Sequence, residues 1–190
     1  CTYFEDNDGE PWRCSNFIEN SECYQSVEDP VQFYQSGSSF GHFLKQLKNY
    51  PAEKLKETIP DFHHTVKRFG AFQVALKRDL KNRAATCRPE IDFVLEREKD
   101  CGVLVSKQED GTLPLRVTHN DTKLNNILFD AKTGKGLCII DLDTIMPGLA
   151  ANDFGDSIRF GAATAAEDEK NLDLMHFDIH LYELYVKGYL

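Results

Sequence analysis

Short strand-like runs open the chain, and longer apolar stripes follow them. In residues 2–18, aromatic and β-branched residues flank the polar cluster DNDGE, which is typical of two strands joined by a turn. Asp29 before Pro30 offers the side-chain cap and the first-turn proline that helices favour. Helical spacing of apolar residues predicts helices in five segments, 30–50, 66–83, 90–100, 150–160 and 178–190.

The pattern between residues 113 and 141 differs, because three short apolar runs, PLRVTH, ILFD and GLCIID, predict strands. AKTGK between the last two has the composition of a turn, so these two runs form a predicted hairpin. Antiparallel pairing about that turn sets Ile127 opposite Ile140 and Asn126 opposite Asp141, with Cβ atoms about 5 Å apart. An amide and a carboxylate would then share one end of the hairpin, and the preceding loop would bring Asp121 to the same end.

The composition is that of a globular protein, since 41% of the 190 residues are hydrophobic. The formal net charge of −9 argues against nucleic acid as a partner, because phosphate backbones are bound by clusters of Lys and Arg. No apolar run approaches the length of a membrane span, and CTYFED lacks the blocks of a signal peptide. We therefore expect a cytoplasmic protein without a membrane partner.

Cysteines and a histidine pair offer no obvious metal site. The six cysteines are irregularly spaced and include no CxxC pair, so we predict free thiols. Cys1 could mark a lipidated terminus, but CTYFE is more typical of a strand interior. His63 and His64 are adjacent, which makes a surface or capping pair the preferred hypothesis over metal binding.

The polar loop THNDTKLNN and the later IIDLD carry the candidate chemistry. Asn126 and Asp141 are hard oxygen ligands of the kind that suits Mg²⁺ with substrate phosphates. Asp121 is then free to accept the proton of an attacking hydroxyl, and Lys123 could reach a transferring phosphate. The loop has the H-x-D-x-x-x-x-N spacing of a kinase catalytic loop, in which His119 has a packing role. The alternative is that these residues merely cap turns.

These motifs resemble the aminoglycoside phosphotransferase and choline kinase group of small-molecule kinases. The resembling segments are THNDTKLNN, CIIDLD and GLAAND, in that order. WRCSNFIEN is similar to a last N-lobe strand that runs into the hinge. IPDFHHTVKRF and GLAANDFGDSIRFG are most similar to the N-acetylhexosamine 1-kinase branch.

The resemblance implies an α+β, protein-kinase-like fold that consists mostly of the helical C-lobe. Residues 1–20 would be the last N-lobe strands and the hinge, and 21–190 the C-lobe. The C-lobe would hold a catalytic loop (118–126) and a metal-binding β-hairpin (127–143). A glycine-rich loop, a strand lysine and a helix glutamate are missing before Cys1, so we expect a fragment cut at both ends and inactive by itself.

The resemblance also implies roles for individual residues, with ATP and Mg²⁺ as cofactors and a small-molecule sugar or other alcohol as acceptor. Asp121 would be the base, and Asp153 would steady the catalytic loop. The remaining assignments are Phe17, Ile18 and Glu19 at the adenine, Asn126, Asp141 and the neighbouring acid Asp143 at the metal, and Asp156 with Arg159 as structural support.

The sequence departs from the kinase motifs at two places, and two alternative functions compete with the kinase function. Asn120 replaces the glycine of H-G-D loops, and Leu142-Asp143 replaces the F-G of protein kinases. DLD could instead be the D-x-D motif of a nucleotide-sugar glycosyltransferase, although that leaves the loop unexplained. A noncatalytic nucleotide-binding or pseudokinase-like domain is the other alternative.

Overall fold

The computed structural model describes residues 3–190, so what was predicted for Cys1 and Thr2 lies outside the described residues. Strands β1 (Phe4–Glu5) and β2 (Pro11–Trp12) pair antiparallel, as the pattern predicts. The Asp6 carboxylate organises the turn between them, since it accepts backbone N–H groups of Asp8 and Glu10 at 3.0 and 2.9 Å. Its other oxygen accepts the indole N–H of Trp12 at 2.7 Å.

Strand β3 (Ser21–Glu22) precedes the longest helix, α1 (Pro30–Leu47). Asp29 caps α1 in a reciprocal capping box with Gln32, which explains why the helix begins where the sequence predicts. The helix ends at residue 47, three residues earlier than predicted.

Four helices make up the middle of the chain: α2 (Thr65–Arg78), α3 (Arg88–Glu96), α4 (Glu98–Cys101) and α5 (Val103–Glu109). Helix α2 is shorter than predicted, because Asp79 takes a left-handed conformation (φ 34°) that ends it. His64 caps α2 by accepting the N–H of Lys67 through Nδ1, which confirms a capping role for this histidine.

The catalytic-loop region holds four strands: β4 (Arg116–Thr118), β5 (Ile127–Asp130), β6 (Gly136–Ile139) and β7 (Met146–Gly148). One antiparallel sheet has the order β3-β5-β6, and β4 pairs with β7 in a second. The sequence pattern indicated neither β3 nor β7. Both have two or three residues and depend on partners that are distant in sequence.

The predicted register of the β5–β6 hairpin is wrong by one residue. Ile127 lies opposite Ile139, and a bulge between Leu128 and Phe129 shifts the pairing near the turn. The carbonyl of Asn126 accepts the N–H of Ile140 at 2.9 Å, so Asp141 lies one residue beyond the position predicted for it. The side chains of Asn126 and Asp141 nevertheless remain at the same end of the hairpin.

Helices α6 (Ala150–Gly161) and α7 (Ile179–Tyr189) complete the fold. Helix α7 packs closely on α1, where Gly37 and Gly188 allow backbone contact. Buried side chains form two neighbouring clusters, Phe40, Leu124, Ile127 and Phe129 in one and Phe33, Ala162 and Tyr185 in the other. Each large side chain buried this way contributes about 1.5–3 kcal/mol, and together they fix α1 under the catalytic loop.

The five cysteines described are all free, as predicted for them. Among residues 3–190, no helix is both long enough and apolar enough to span a lipid bilayer.

Candidate active site

The carboxylate of Asp153 on α6 accepts hydrogen bonds from the backbone of the catalytic loop, which joins β4 to β5. Its Oδ2 accepts the N–H of His119 at 2.9 Å, and its Oδ1 accepts the N–H of Asn120 at 2.8 Å. Only 1% of Asp153 is exposed. Burial raises the pKa of this carboxyl to about 6, although the two backbone N–H groups act in the opposite direction. Near neutral pH the group is therefore ionised and binds two consecutive amides of the loop.

His119 is fully buried and joins the loop to the end of β6. Its Nε2 lies 2.9 Å from the carbonyl oxygen of Ile140, and the N–H of Asp121 approaches its Nδ1 at 3.3 Å. A carbonyl can only accept and an amide can only donate, so the ring is neutral with its proton on Nε2. The Phe40 and Phe43 rings pack against it in T-shaped arrangements.

Asn120 has a positive φ of 67°, a conformation that glycine adopts freely and asparagine tolerates. Its amide nitrogen donates to the carbonyls of Thr118 and Thr144, and its oxygen accepts the Thr118 hydroxyl at 3.0 Å. The asparagine in place of glycine therefore keeps the backbone turn and adds three hydrogen bonds that fasten the loop.

The catalytic loop carries a polar cluster that consists of Asp121, Lys123 and Asn126. The Lys123 ammonium lies 3.3 Å from Oδ1 of Asp121, and the Asn126 amide donates to Oδ2 at 3.0 Å. The same amide nitrogen donates to the Asp121 carbonyl at 2.8 Å. The Asp121 side chain stays 27% exposed, so it is oriented by the protein and still accessible to a small molecule.

Asp141 follows β6 in a left-handed conformation (φ 56°) and is exposed. Asp143, which is also exposed, pairs with Arg13. The candidate metal ligands are thus one amide and two carboxylates, an all-oxygen set that matches the preference of Mg²⁺. Within the part of the chain that the structure describes, no three His, Cys, Asp or Glu side chains are grouped closely enough to hold an ion.

An open cleft of about 910 Å³ lies beside these acids. Phe17 and Ile18 line it on one side, and Asp141 and Asp143 line it on the other. Leu128 and Ile140 contribute apolar surface between them. The structure thus brings two of the three predicted adenine-binding residues into one cavity with Asp141 and Asp143, whereas Asn126, the remaining candidate metal ligand, does not line it. Glu19, the third, is exposed and lies outside the lining of this cleft.

Asp156 and Arg159 lie farther along α6. Asp156 accepts the N–H of Thr122 at 2.9 Å, which adds a third loop amide to those held by Asp153. Arg159 pairs with Asp156 at 2.9 Å and with Glu167 at 2.6 Å. Arg159 is therefore engaged in ion pairs within the protein.

A buried chain of hydroxyl groups completes the support of the loop. The Thr122 hydroxyl donates to the Asp153 carbonyl at 2.5 Å, and the Ser157 hydroxyl donates to the Thr122 carbonyl at 2.8 Å. The Tyr185 hydroxyl donates to Ser157 at 2.7 Å. Sequence reasoning did not single out these three residues. The spacing of Asp153 and Ser157 was the available signal, because residues four apart share one helix face.

The sequence was compared with models of protein families. Residues 4–184 match the phosphotransferase enzyme family. This chain belongs to that family. Membership of the phosphotransferase enzyme family makes the chain a kinase-type enzyme that acts on small molecules, in a family that generally uses ATP and Mg²⁺. It confirms, at family level, the resemblance to aminoglycoside phosphotransferases and choline kinases.

Membership of the phosphotransferase enzyme family also implies a protein-kinase-like fold. The mixture of helices with small antiparallel sheets is consistent with part of that fold. The family does not favour the glycosyltransferase or the noncatalytic alternative.

Proposed function

We propose that this protein transfers the γ-phosphoryl group of ATP to a hydroxyl of a small molecule, most specifically the anomeric hydroxyl of an N-acetylhexosamine. The polar cluster of Asp121, Lys123 and Asn126 carries this proposal. It presents an accessible carboxylate that two neighbours hold in place. Further acids, Asp141 and Asp143, line a cleft. Phosphoryl transfer needs one residue to orient the nucleophile and positive charge near the transferred group.

Asp121 is the proposed base. Its carboxylate accepts the hydroxyl proton of the acceptor as the oxygen attacks the γ-phosphorus. A P–O bond to the acceptor forms, and the bond from the γ-phosphorus to the bridging oxygen breaks, which releases ADP. Lys123, 3.3 Å from Asp121, places an ammonium group where it can offset negative charge on the transferred phosphoryl group.

Asn126 and Asp141 are the proposed ligands of Mg²⁺, and Asp143 lines the same cleft as Asp141. The nitrogen of the Asn126 amide is bonded to Asp121, so the amide oxygen is the atom left for a cation. The ion, when bound, would neutralise negative charge on the phosphate oxygens. Asp143 already pairs with Arg13, and we assign it the weaker role of maintaining negative charge at the site.

The cleft beside Phe17 and Ile18 is the proposed nucleotide site. Backbone groups of Phe17 and Ile18 would contact the adenine, while Leu128 and Ile140 offer an apolar surface for its ring. Glu19 lies outside the lining of the cleft and is not assigned to the nucleotide here. This placement agrees with the assignment of residues 1–20 as the last N-lobe strands and hinge, which we retain as part of the proposal.

The N-acetylhexosamine assignment is supported by the resemblance of IPDFHHTVKRF and GLAANDFGDSIRFG to that branch. The second segment supplies Asp153 and Asp156, which bind the backbone of the catalytic loop. The first leads into α2. We further propose a cytoplasmic enzyme whose partner is the small-molecule acceptor and which binds neither nucleic acid nor membrane. Its net charge of −9 agrees with the absence of a nucleic-acid partner.

An ADP-release assay tests this function. The protein, expressed from its complete reading frame, is supplied with ATP, Mg²⁺ and single acceptors: N-acetylhexosamines, aminoglycosides, choline, homoserine and methylthioribose. We expect release of one ADP per phosphorylated N-acetylhexosamine, with the phosphate on the anomeric oxygen by ³¹P NMR. Turnover of another acceptor alone would contradict the sugar assignment, and no turnover of any acceptor would contradict the kinase function.

A further inference from the structure

The cleft beside Phe17 and Ile18 carries a positively charged side chain to which no role has been assigned. Residues 11–18 form one wall of this cleft, the N-terminal wall, and they include Arg13. Asp141 and Asp143 line the cleft on the other side. No other Lys or Arg among residues 3–190 lines it. Within the described part of the chain, Arg13 is therefore the only fixed positive charge in this cleft.

A nucleotide requires positive charge in this cleft. The carboxylates of Asp141 and Asp143 repel phosphate oxygens, and the repulsion between such charges is stronger near protein than in bulk water. A bound Mg²⁺ offsets part of this charge, but the triphosphate of ATP carries more negative charge than one such ion neutralises. The guanidinium of an arginine stays protonated in proteins, so Arg13 supplies positive charge at any working pH.

The ion pair between Arg13 and Asp143 places the guanidinium among the acids of the cleft. Nη2 of Arg13 donates to Oδ1 of Asp143, so the pair joins the N-terminal wall to the segment that follows β6. The two side chains are 64% and 70% exposed, and exposed ion pairs contribute little to the stability of a fold. The guanidinium is therefore accessible to a ligand, and a structural role alone does not explain its position.

Arg13 has hydrogen-bond donors that the protein does not use. A guanidinium carries N–H groups on Nε, Nη1 and Nη2, arranged as a planar fork. Only Nη2 of Arg13 donates to a described residue. The remaining N–H groups can therefore bind phosphate oxygens while Nη2 keeps its contact with Asp143. Guanidinium groups are suited to this contact, because their fork matches two oxygens of one phosphate.

The dimensions of the cleft allow the base and the phosphates of a nucleotide to bind together. Its volume of about 910 Å³ lies within the usual range of ligand pockets, ~300–1,000 Å³. Phe17 follows Arg13 by four residues, and an extended chain spans at most ~14 Å over that length. A nucleotide with its adenine beside Phe17 can therefore extend along the N-terminal wall and place its phosphates at Arg13.

We propose that Arg13 binds the phosphate chain of the nucleotide through the N–H groups that do not pair with Asp143. This proposal rests on the proposed function, in which the cleft holds ATP. Arg13 is then a nucleotide-binding residue that offsets the charge of the phosphates, while Asp121 remains the group that takes the acceptor's proton.

Titrations with ADP, followed by the NMR signals of the ligand, test this contact without requiring turnover. The unmodified protein is compared with Arg13→Ala, Arg13→Lys and a control, Arg78→Ala, which removes the same charge from an exposed position on α2 outside the cleft. We expect Arg13→Ala to weaken the binding of ADP with Mg²⁺ about tenfold, because one charge-assisted contact is lost. Arg13→Lys should recover part of the affinity, since it keeps the charge without the fork. Arg78→Ala should bind ADP like the unmodified protein.

Adenosine separates phosphate binding from a merely structural effect. Because adenosine has no phosphate, Arg13→Ala should bind it as tightly as the unmodified protein does. If adenosine and ADP lose the same factor in affinity, Arg13 maintains the shape of the cleft and the proposal is wrong. Unchanged binding of ADP by Arg13→Ala would also overturn the proposal. Tighter binding of ADP would overturn it as well, since the pair with Asp143 would then obstruct the phosphates.

The outcome for Arg13 can be told apart from the outcome for the kinase function. In the ADP-release assay, Arg13→Ala should raise the KM for ATP about tenfold and leave the KM for the sugar unchanged. Normal turnover with an unchanged KM for ATP would overturn the role of Arg13 and leave the kinase function intact. ADP binding that depends on Arg13, without turnover of any acceptor, would support the role of Arg13 and contradict the kinase function. Absence of ADP binding to the unmodified protein would overturn both the nucleotide cleft and the role of Arg13.

Discussion

Replacing Asp153 by Asn would remove a buried charge while keeping the shape of the side chain. The pKa of this carboxyl rises from 3.8 to about 6 because burial outweighs the two amide hydrogen bonds. The folded protein then binds the proton more tightly than the unfolded chain does. The carboxyl therefore adds stability that is fully present below pH 3.8 and is lost as the pH rises through about 6.

The size of this effect follows from the same pKa. Between pH 7.5 and pH 4.5, the carboxyl of Asp153 should stabilise the unmodified protein by about 2 kcal/mol. The side-chain amide of the Asp153→Asn variant does not titrate, so it adds no stability as the pH falls over that range. It also has one acceptor oxygen for the two N–H groups of His119 and Asn120, which costs about 1–3 kcal/mol at every pH.

Urea unfolding of both proteins at several pH values measures this contribution. Other titrating groups cancel in the difference between the two free energies of unfolding. We expect the advantage of the unmodified protein over Asp153→Asn to grow by about 2 kcal/mol as the pH falls from 7.5 to 4.5. A difference that is constant with pH, or that shrinks on acidification, would refute the reasoning about Asp153.

The remaining predictions concern backbone geometry. Gly37→Ala should destabilise the protein by more than about 3 kcal/mol, because the new Cβ would lie 2.3 Å from the carbonyl oxygen of Tyr185. Gly70→Ala, with open space at its Cβ, should instead stabilise helix α2 by about 0.5–1 kcal/mol. If urea unfolding showed equal changes in stability for Gly37→Ala and Gly70→Ala, the close packing of α1 on α7 would be contradicted. Asn120→Ala should lose more thermal stability than Asn120→Gly, because alanine is strained at a φ of 67° and glycine is not. The reverse order of the melting temperatures would contradict this.

The sequence pattern predicted the longer elements because local forces determine them. Asp29 and Pro30 mark the start of α1, and the reciprocal cap appears in the structure as expected. The turn of the β5–β6 hairpin was equally clear, but its register was not. A bulge at Leu128 and Phe129 depends on packing across the sheet, and turn composition alone does not encode it.

The candidate site was predictable where residues lie close in sequence. Asp121, Lys123 and Asn126 belong to one loop, and the structure brings them together as a cluster. The hydroxyls of Thr122 and Ser157 were not predicted, because their partners are more than thirty residues away and only the fold joins them. The adjacency of His63 and His64 predicts a surface or capping pair, but Nε2 of His63 is buried, because the fold covers it with segments distant in sequence.

The measurement that tests the central claim most directly is the turnover of Asp121→Asn. The amide keeps the size of the side chain but cannot take the acceptor's proton, so kcat should fall by about 10²–10⁴-fold. The KM for ATP should change little, and the circular dichroism spectrum should match that of the unmodified protein. A correctly folded Asp121→Asn variant with near-normal turnover would contradict the assignment of Asp121 as the base of a phosphotransferase.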